Sequence, residues 1–433
     1  MHTRREALAL TLAVPTALTL AACGPNRSSS EASGGDSSSA LRFMWWGNAV
    51  RDKATRGAID AYGEVESDLS ISAEPADWSG YWDKLATQVA GGDMPDVVQM
   101  DEKYLSEYGN RGALLDLEKA GLETSDFEDS SVAAGEVPDK GLLAINAGIN
   151  APVLLANAAV FEDAGIDLPD DTTWTWDDLA SLAADITKAT DDGVYGLQQI
   201  GLVQATFQVY MRQLGKDQYS ADGAGFAAED AEKFFAYAKS LQETKAAPDA
   251  SVSVEEAGQS VDQSLFATGK CALQVAWSNQ VVAYDTAAGG KVHVLRMPSM
   301  TGKAADAQLW YKASMYFAVS AKTTAEKHAV AFVDWLVNSE DAGRLLLAER
   351  GVPANLTVRE AIADDLTDAD IKAVDFIESI ADELGDAPVI TPQGGGQFED
   401  ILTRCGEDLL FGRTDTKTAG KDLLDQLTSA ITV

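Results

Sequence analysis

Short apolar runs alternate with amphipathic ones between residues 41 and 100, and this alternation restricts the fold more than any other feature. Leu41-Arg42-Phe43-Met44-Trp45-Trp46 reads as a strand stopped by Gly47. Arg51 to Glu66 follows with Ala54, Ala58, Ile59 and Tyr62 at helical spacing. Leu69 to Ala73 is a second strand. Tyr81 to Ala90 is a helix closed by Gly91-Gly92, and Asp96 to Met100 is a third strand. Two parallel strands need a crossover between them, so a strand–helix–strand–helix–strand order predicts a parallel sheet covered by helices. The pattern resumes downstream. Leu142 to Ile145, Val153 to Leu155, Val194 to Ile200, Cys271 to Trp277, Val292 to Met297 and Met315 to Val319 are extended. Thr175 to Thr187, Glu229 to Glu243, Glu326 to Val337 and Asp341 to Arg350 are helical, and the C-terminal part is mostly helical. A chain of 433 residues exceeds the size at which one core usually serves. Two α/β lobes are expected, and the lack of a second low-complexity linker argues that segments cross between them.

The first forty residues have another character. Ala7 to Leu20 is apolar, follows Arg4-Arg5, contains Pro15 and ends in small residues. It is shorter than the roughly 20 residues a membrane span needs, so it reads as a signal peptide. Arg4-Arg5 also loosely matches a twin-arginine export signal, with ordinary secretion as the alternative. Leu20-Ala21-Ala22-Cys23 resembles the bacterial lipobox, in which the cysteine becomes the lipid-bearing mature N-terminus. Asn26 to Ser39 is rich in Ser and Gly without a large apolar residue. Such a stretch is a flexible tether, with a reach on the order of 20 Å over roughly 16 residues. The expectation is an exported protein, lipid-anchored through Cys23 to the outer face of the cell membrane.

Charge and side-chain inventory exclude several functions. A formal net charge of −35 opposes binding to nucleic acid or to anionic lipid. Of three His, His2 leaves with the signal peptide, and His293 and His328 are isolated, so neither a Ser-His-Asp triad nor a His-rich metal site is supported. No GxSxG, Walker loop or GxGxxG after a strand occurs. No cofactor or metal is expected. Cys271 and Cys405 either pair in an oxidising compartment or stand as two buried thiols. With 68 Asp and Glu, paired acids for glycoside hydrolysis are compatible with composition.

Nine Trp are present, and Trp45-Trp46, Trp78, Trp277 and Trp310-Tyr311 flank strand ends and loops. Strand ends are where α/β folds bind ligands. Flat aromatic faces suit sugar rings, while Asn, Gln and Asp suit hydroxyls. Trp174 and Trp176, at a helix start, read as structural.

Ordered motifs then resemble a known family. They are Trp45-Trp46-Gly47, Gly80-Tyr81-Trp82-Asp83-Lys84-Leu85, Gly91-Gly92-Asp93-Met94-Pro95-Asp96-Val97 and Arg111 to Leu117. Phe161 to Ile166, Trp174 to Leu179, Phe266 to Lys270, Trp277-Ser278-Asn279 and Gly351-Val352-Pro353 continue the series. Together they are similar to the family 1 extracellular solute-binding proteins, the sugar-binding components of ABC importers, and span essentially the whole mature chain. The resemblance implies a periplasmic-binding-protein-like type II fold, two α/β lobes with a ligand cleft between them. By it, residues 41–149 plus 313–351 form the N-terminal lobe and 150–312 plus 352–433 the C-terminal lobe, after a 1–22 signal peptide and a 23–40 lipidated linker. Crossings are expected near Asn150-Ala151, Gln308 to Ser314 and Val352-Pro353.

Carried over residue by residue, the resemblance implies ligand contacts from Trp46 and Asn48 after the first strand and from Trp78 and Tyr81 after the second. It adds Asp101 after the third, Asn150 at the first crossing, Trp277 and Asn279, Trp310 and Tyr311, and Gln393 in the Gln393 to Gln397 loop. Ala156-Asn157 departs from the Tyr-Asn that the family commonly carries there. The implied function is a monomeric lipoprotein that delivers a carbohydrate, an oligosaccharide, to permease subunits and through them to an ATPase. The alternatives are a binding protein for another solute, such as a polyol, a glycerophosphodiester or a metal chelate, and an exported glycoside hydrolase.

Overall fold

A computed structural model describes residues 40–220, 223–386, 388–389 and 391–431, all within one compact unit. The expected signal peptide, Cys23 and the Ser/Gly stretch lie outside the described residues. Ten strands build two sheets: β1 (Ala40–Trp46), β2 (Ser70–Ala76), β3 (Val97–Met100), β4 (Ile145–Asn150), β5 (Pro152–Asn157), β6 (Tyr195–Leu197), β7 (Cys271–Trp277), β8 (Val292–Leu295), β9 (Lys312–Val319) and β10 (Val352–Pro353).

The first sheet has the order β10-β4-β9-β3-β1-β2. Strands β1, β2 and β3 run parallel, as the alternation predicts, while β9 is antiparallel to both β3 and β4. The pleat of β1 explains its apolar run, which only Arg42, paired with Glu74 and Asp93, interrupts. Leu41, Phe43 and Trp45 join the core on one face, and Met44 and Trp46 join the core on the other. A strand with helices on both faces needs no polar side. Helices α1 (Ala49–Val65), α2 (Trp78–Gly91) and α3 (Glu102–Asn110) follow the three parallel strands. Asn48 caps α1 by accepting from the Val50 and Arg51 amides, and Asp101 caps α3 by accepting from Lys103. Gly92, at φ +73°, closes α2 with a left-handed residue. The second helix therefore begins at Trp78, one turn before Tyr81.

The second sheet has the order β8-β5-β7-β6, with β5 antiparallel to β7 and β8, and β6 parallel to β7. Helix α4 (Trp176–Ala189) starts at Thr175 with reciprocal Thr175–Asp178 bonds, the cap that its sequence suggests. Gly196 in β6 lies so close to α4 that an added Cβ would sit 2.0 Å from the Ala183 carbonyl oxygen. The extended run expected over Val194 to Ile200 is shorter, because Gln199 turns to accept from the Gly201 amide and a 3-10 turn begins at Ile200.

The chain crosses between the lobes at Ala151, between β4 and β5, and again before Lys312. Val352–Pro353 does not cross. It pairs with Ile149 and Gly148 as an edge strand of the first sheet, a position that suits a proline without an N–H. The Leu356 amide still donates to Asp126 O. The chain reaches the second sheet only with α5 (Asp368–Ser379), which packs against β8; Lys372 donates to Asp285, which in turn accepts from the Val292 amide of β8. Cys271 and Cys405 are free thiols in separate apolar cores. Burial pushes the Cys271 thiol up to about 12 and the Cys405 thiol up to about 11.

Candidate functional site

Strand ends from both sheets meet at the crossings. Asn150 is the last residue of β4 and Lys312 the first of β9, and the two are paired. Trp277 ends β7 opposite Pro152. Three carriers of chemistry thus reach one place because the chain passes between the sheets there. Asn150 Nδ2 donates to Asn279 Oδ1 at 2.9 Å, and the Ala151 amide donates to Ser278 Oγ at 3.1 Å. Asn150 Oδ1 is buried and has no hydrogen-bond partner among the described residues.

Lys312 organises the charges. Its Nζ lies 3.2 Å from Glu102 Oε1, 3.8 Å from Asp101 Oδ2 and 4.7 Å from the Trp277 ring centroid. Burial works against its charge, but Asp101 and Glu102 more than offset this and hold its pKa above the ordinary lysine value. Close by, Lys103 in α3 reaches Glu399 in α6 (Phe398–Leu410) at 2.5 Å and lies 5.2 Å from the Trp78 ring centroid. The Gly-rich loop before α6 comes up against α3. A Cβ on Gly396 would sit 3.0 Å from Lys103 O and from the Tyr104 ring. The Tyr219 hydroxyl pins this loop by donating to Gly395 O at 2.7 Å. Lys103 follows β3 of the first sheet, whereas α6 packs against the 3-10 turn after β6, so this ion pair links elements of the two sheets.

The expected contact residues divide into three groups. Asp101, Asn150, Trp277 and Asn279 come together around Lys312, although Asp101 is also a helix cap. Trp78 is partly exposed beside Lys103, and Gln393 is exposed in the Gly-rich loop. Tyr81, Trp310 and Trp46 are core residues instead. Tyr81 is fully buried and its hydroxyl donates to Gln99 O. Trp310 is 1% exposed, edge-on beneath Trp277 and covered by the Arg212 guanidinium. Trp46 is enclosed by Trp78, Tyr81 and Trp82. Asn48 uses its carbonyl to cap α1, and the Tyr311 hydroxyl donates to Ile377 O.

Lys312, Lys103, Glu102 and Glu399 were not singled out from sequence. Lys312 alone carried a signal, as the one charge opening an otherwise apolar strand. Among the described residues no group of three or more His, Cys, Asp or Glu is placed to hold a metal ion, and no helix is long and apolar enough to cross a membrane.

A family model described as bacterial extracellular solute-binding protein matches residues 57–373. A galactooligosaccharide-binding protein of Bacillus subtilis is 25% identical over 349 residues, 79% of each chain. A maltooligosaccharide ABC transporter solute-binding lipoprotein of Streptococcus pneumoniae serotype 4 is 25% identical across 99% of this chain and 97% of its own. The structure of a periplasmic oligogalacturonide binding protein from Yersinia enterocolitica, in complex with saturated digalacturonic acid, superposes with a TM-score of 0.82 at 19% identity, over 91% of this chain and 98% of that one. At that identity the likeness speaks for the fold.

Proposed function

The chain belongs to the bacterial extracellular solute-binding proteins, and from that premise we propose that it captures an uncharged oligosaccharide between its lobes and presents it to the membrane subunits of an ABC importer. The observation that carries the sugar reading is the juxtaposition of a partly open indole, Trp277, with the Asn150–Asn279 amides and the unpartnered Asn150 Oδ1. Indole faces suit sugar rings, and amides suit hydroxyls. Trp78, Asp101 and Gln393 complete the proposed contacts. The two curated relatives are named for neutral oligosaccharides.

The absence of charge on the ligand follows from the cations. Lys312 is committed to Glu102 and Asp101, and Lys103 to Glu399. A uronate would have to displace a carboxylate from one of them and then sit beside it. Ligand that favours the closed arrangement shifts the lobes toward it, and the importer reads that closure. No turnover belongs to this reading, because the cleft carboxylates Asp101, Glu102 and Glu399 all serve lysines.

Titration calorimetry and melting with maltooligosaccharides, galactooligosaccharides and digalacturonate test the reading. A neutral sugar should bind, be recovered intact, and stabilise the fold by about 2.7 kcal/mol at 100 times Kd. Preferential binding of digalacturonate would overturn the charge assignment. Cleavage of the sugar, or silence across neutral sugars, would overturn the receptor assignment itself.

Lipid attachment at Cys23 is part of the same proposal. It rests on Leu20-Ala21-Ala22-Cys23 and the Ser/Gly tether, and a tether raises the effective concentration of receptor at its transporter. Cys23→Ala should release the protein from membrane fractions into the medium with unchanged sugar affinity. Retention of the variant at the membrane would sink the anchor.

A further inference from the structure

Two arginines and one glutamate are buried together behind the first sheet. Arg51 in α1 gives Nε to Glu349 Oε2 at 2.7 Å, Nη2 to Glu349 O at 3.1 Å and Nη1 to Trp46 O at 3.2 Å. Arg350 gives Nε to Gln99 Oε1 at 3.2 Å and Nη2 to Thr55 Oγ1 at 2.6 Å, and both of these partners are uncharged. Its Nη1 has no partner among the described residues. Arg51, Glu349 and Arg350 are 4%, 3% and 2% exposed. The cluster therefore holds two cations against one anion. Burial and the proximity of Arg51 lower the Arg350 pKa to about 9, which still leaves the guanidinium charged at neutral pH.

Arg350 also lines a largely enclosed cavity of 20 Å³, together with Asn146, Phe317, Leu346, Leu347 and Asn355. That volume takes one small occupant. Leu347 holds a φ of +46° on the cavity wall, a conformation that a leucine keeps only where its surroundings enforce it. The strained turn delivers Glu349 and Arg350 inward.

From these observations we propose that the cavity beside Arg350 is a binding site for a single monovalent anion, chloride under ordinary conditions. A water molecule would give Nη1 an acceptor but leave the excess charge uncompensated. An anion does both, through a charge-assisted hydrogen bond in a site that bulk salt screens little. The proposal does not depend on what the cleft binds.

Two measurements decide it. Crystals grown in sodium bromide should show an anomalous peak in this cavity within hydrogen-bonding reach of Arg350 Nη1. In solution, exchanging gluconate for chloride at constant ionic strength should raise the Tm of the purified protein by about 2–5 °C, saturating with concentration. Arg350→Met should remove that chloride dependence. If this variant does not fold, the bromide map decides alone. A cavity holding only water in bromide crystals, or equal melting in chloride and gluconate, overturns the proposal.

Discussion

Replacing Trp277 by alanine should weaken oligosaccharide binding by roughly 30–150-fold, a loss of about 2–3 kcal/mol, while a single cooperative melting transition persists. The indole stands at the end of β7, where the chain passes between the lobes, and it retains exposed surface. Trp310 meets it edge-on with centroids 6.1 Å apart and Lys312 lies over its ring, so it is held in place before any ligand arrives. An aromatic immobilised in advance loses little further freedom on binding. Truncation also frees Lys312 from the ring, but Glu102 still holds the ammonium, which is why the fold should survive. Calorimetry with the tightest neutral oligosaccharide, alongside a melting curve, checks both halves. An unchanged Kd would remove Trp277 from the site, and a lost transition would make it a structural residue.

The largest effect on stability is expected at Glu349. Glu349→Ala removes the only carboxylate that pairs with Arg51 among the described residues and leaves two buried arginines with no protein counter-charge. Breaking a buried pair from one side costs about 3–5 kcal/mol, which lowers Tm on the order of 10 °C. Glu349→Gln separates the causes. It keeps the volume and an acceptor for the Arg51 Nε–H while deleting the charge, so it should reproduce most of the loss if charge dominates. Sugar affinity of the folded fraction should not move, because the cluster makes no contact with Trp277, Asn150 or Asn279. A Glu349→Ala variant that melts with the parent would show the ion pair to be energetically idle.

Much of the fold was legible in the chain. The apolar runs of β1 and β3, the helices between them and the Thr175 cap are local patterns, and local patterns decide strand or helix through pleat, turn and capping bonds. Start points slipped where such signals were weak. Asp77, a residue type that favours the N-cap, stands directly before Trp78, but its side chain makes no cap bond, and the sequence reading starts this helix one turn late at Tyr81. The parallel sheet also followed from the alternation. Its antiparallel members β9 and β10 did not, because they arrive from more than 150 residues after β3.

The candidate site was legible by residue type but not by orientation. An aromatic-rich chain states that indoles are available without saying which face the cleft. Trp277 and Trp310 look alike in sequence, yet one closes a strand with surface to spare and the other lies beneath it, under Arg212. Tyr81 sits in a motif beside Trp82, and helix phase turns it inward until its hydroxyl reaches Gln99 O.

By itself, then, the sequence determined the alternation of elements and the motif order that carries the family resemblance, since each is set by residues near one another in the chain. Only the tertiary structure decided which side chains share a site. Lys103 meets Glu399 across 296 positions and Arg51 meets Glu349 across 298. Pairings that distant are fixed by how two sheets and their crossings pack, and no local pattern encodes them.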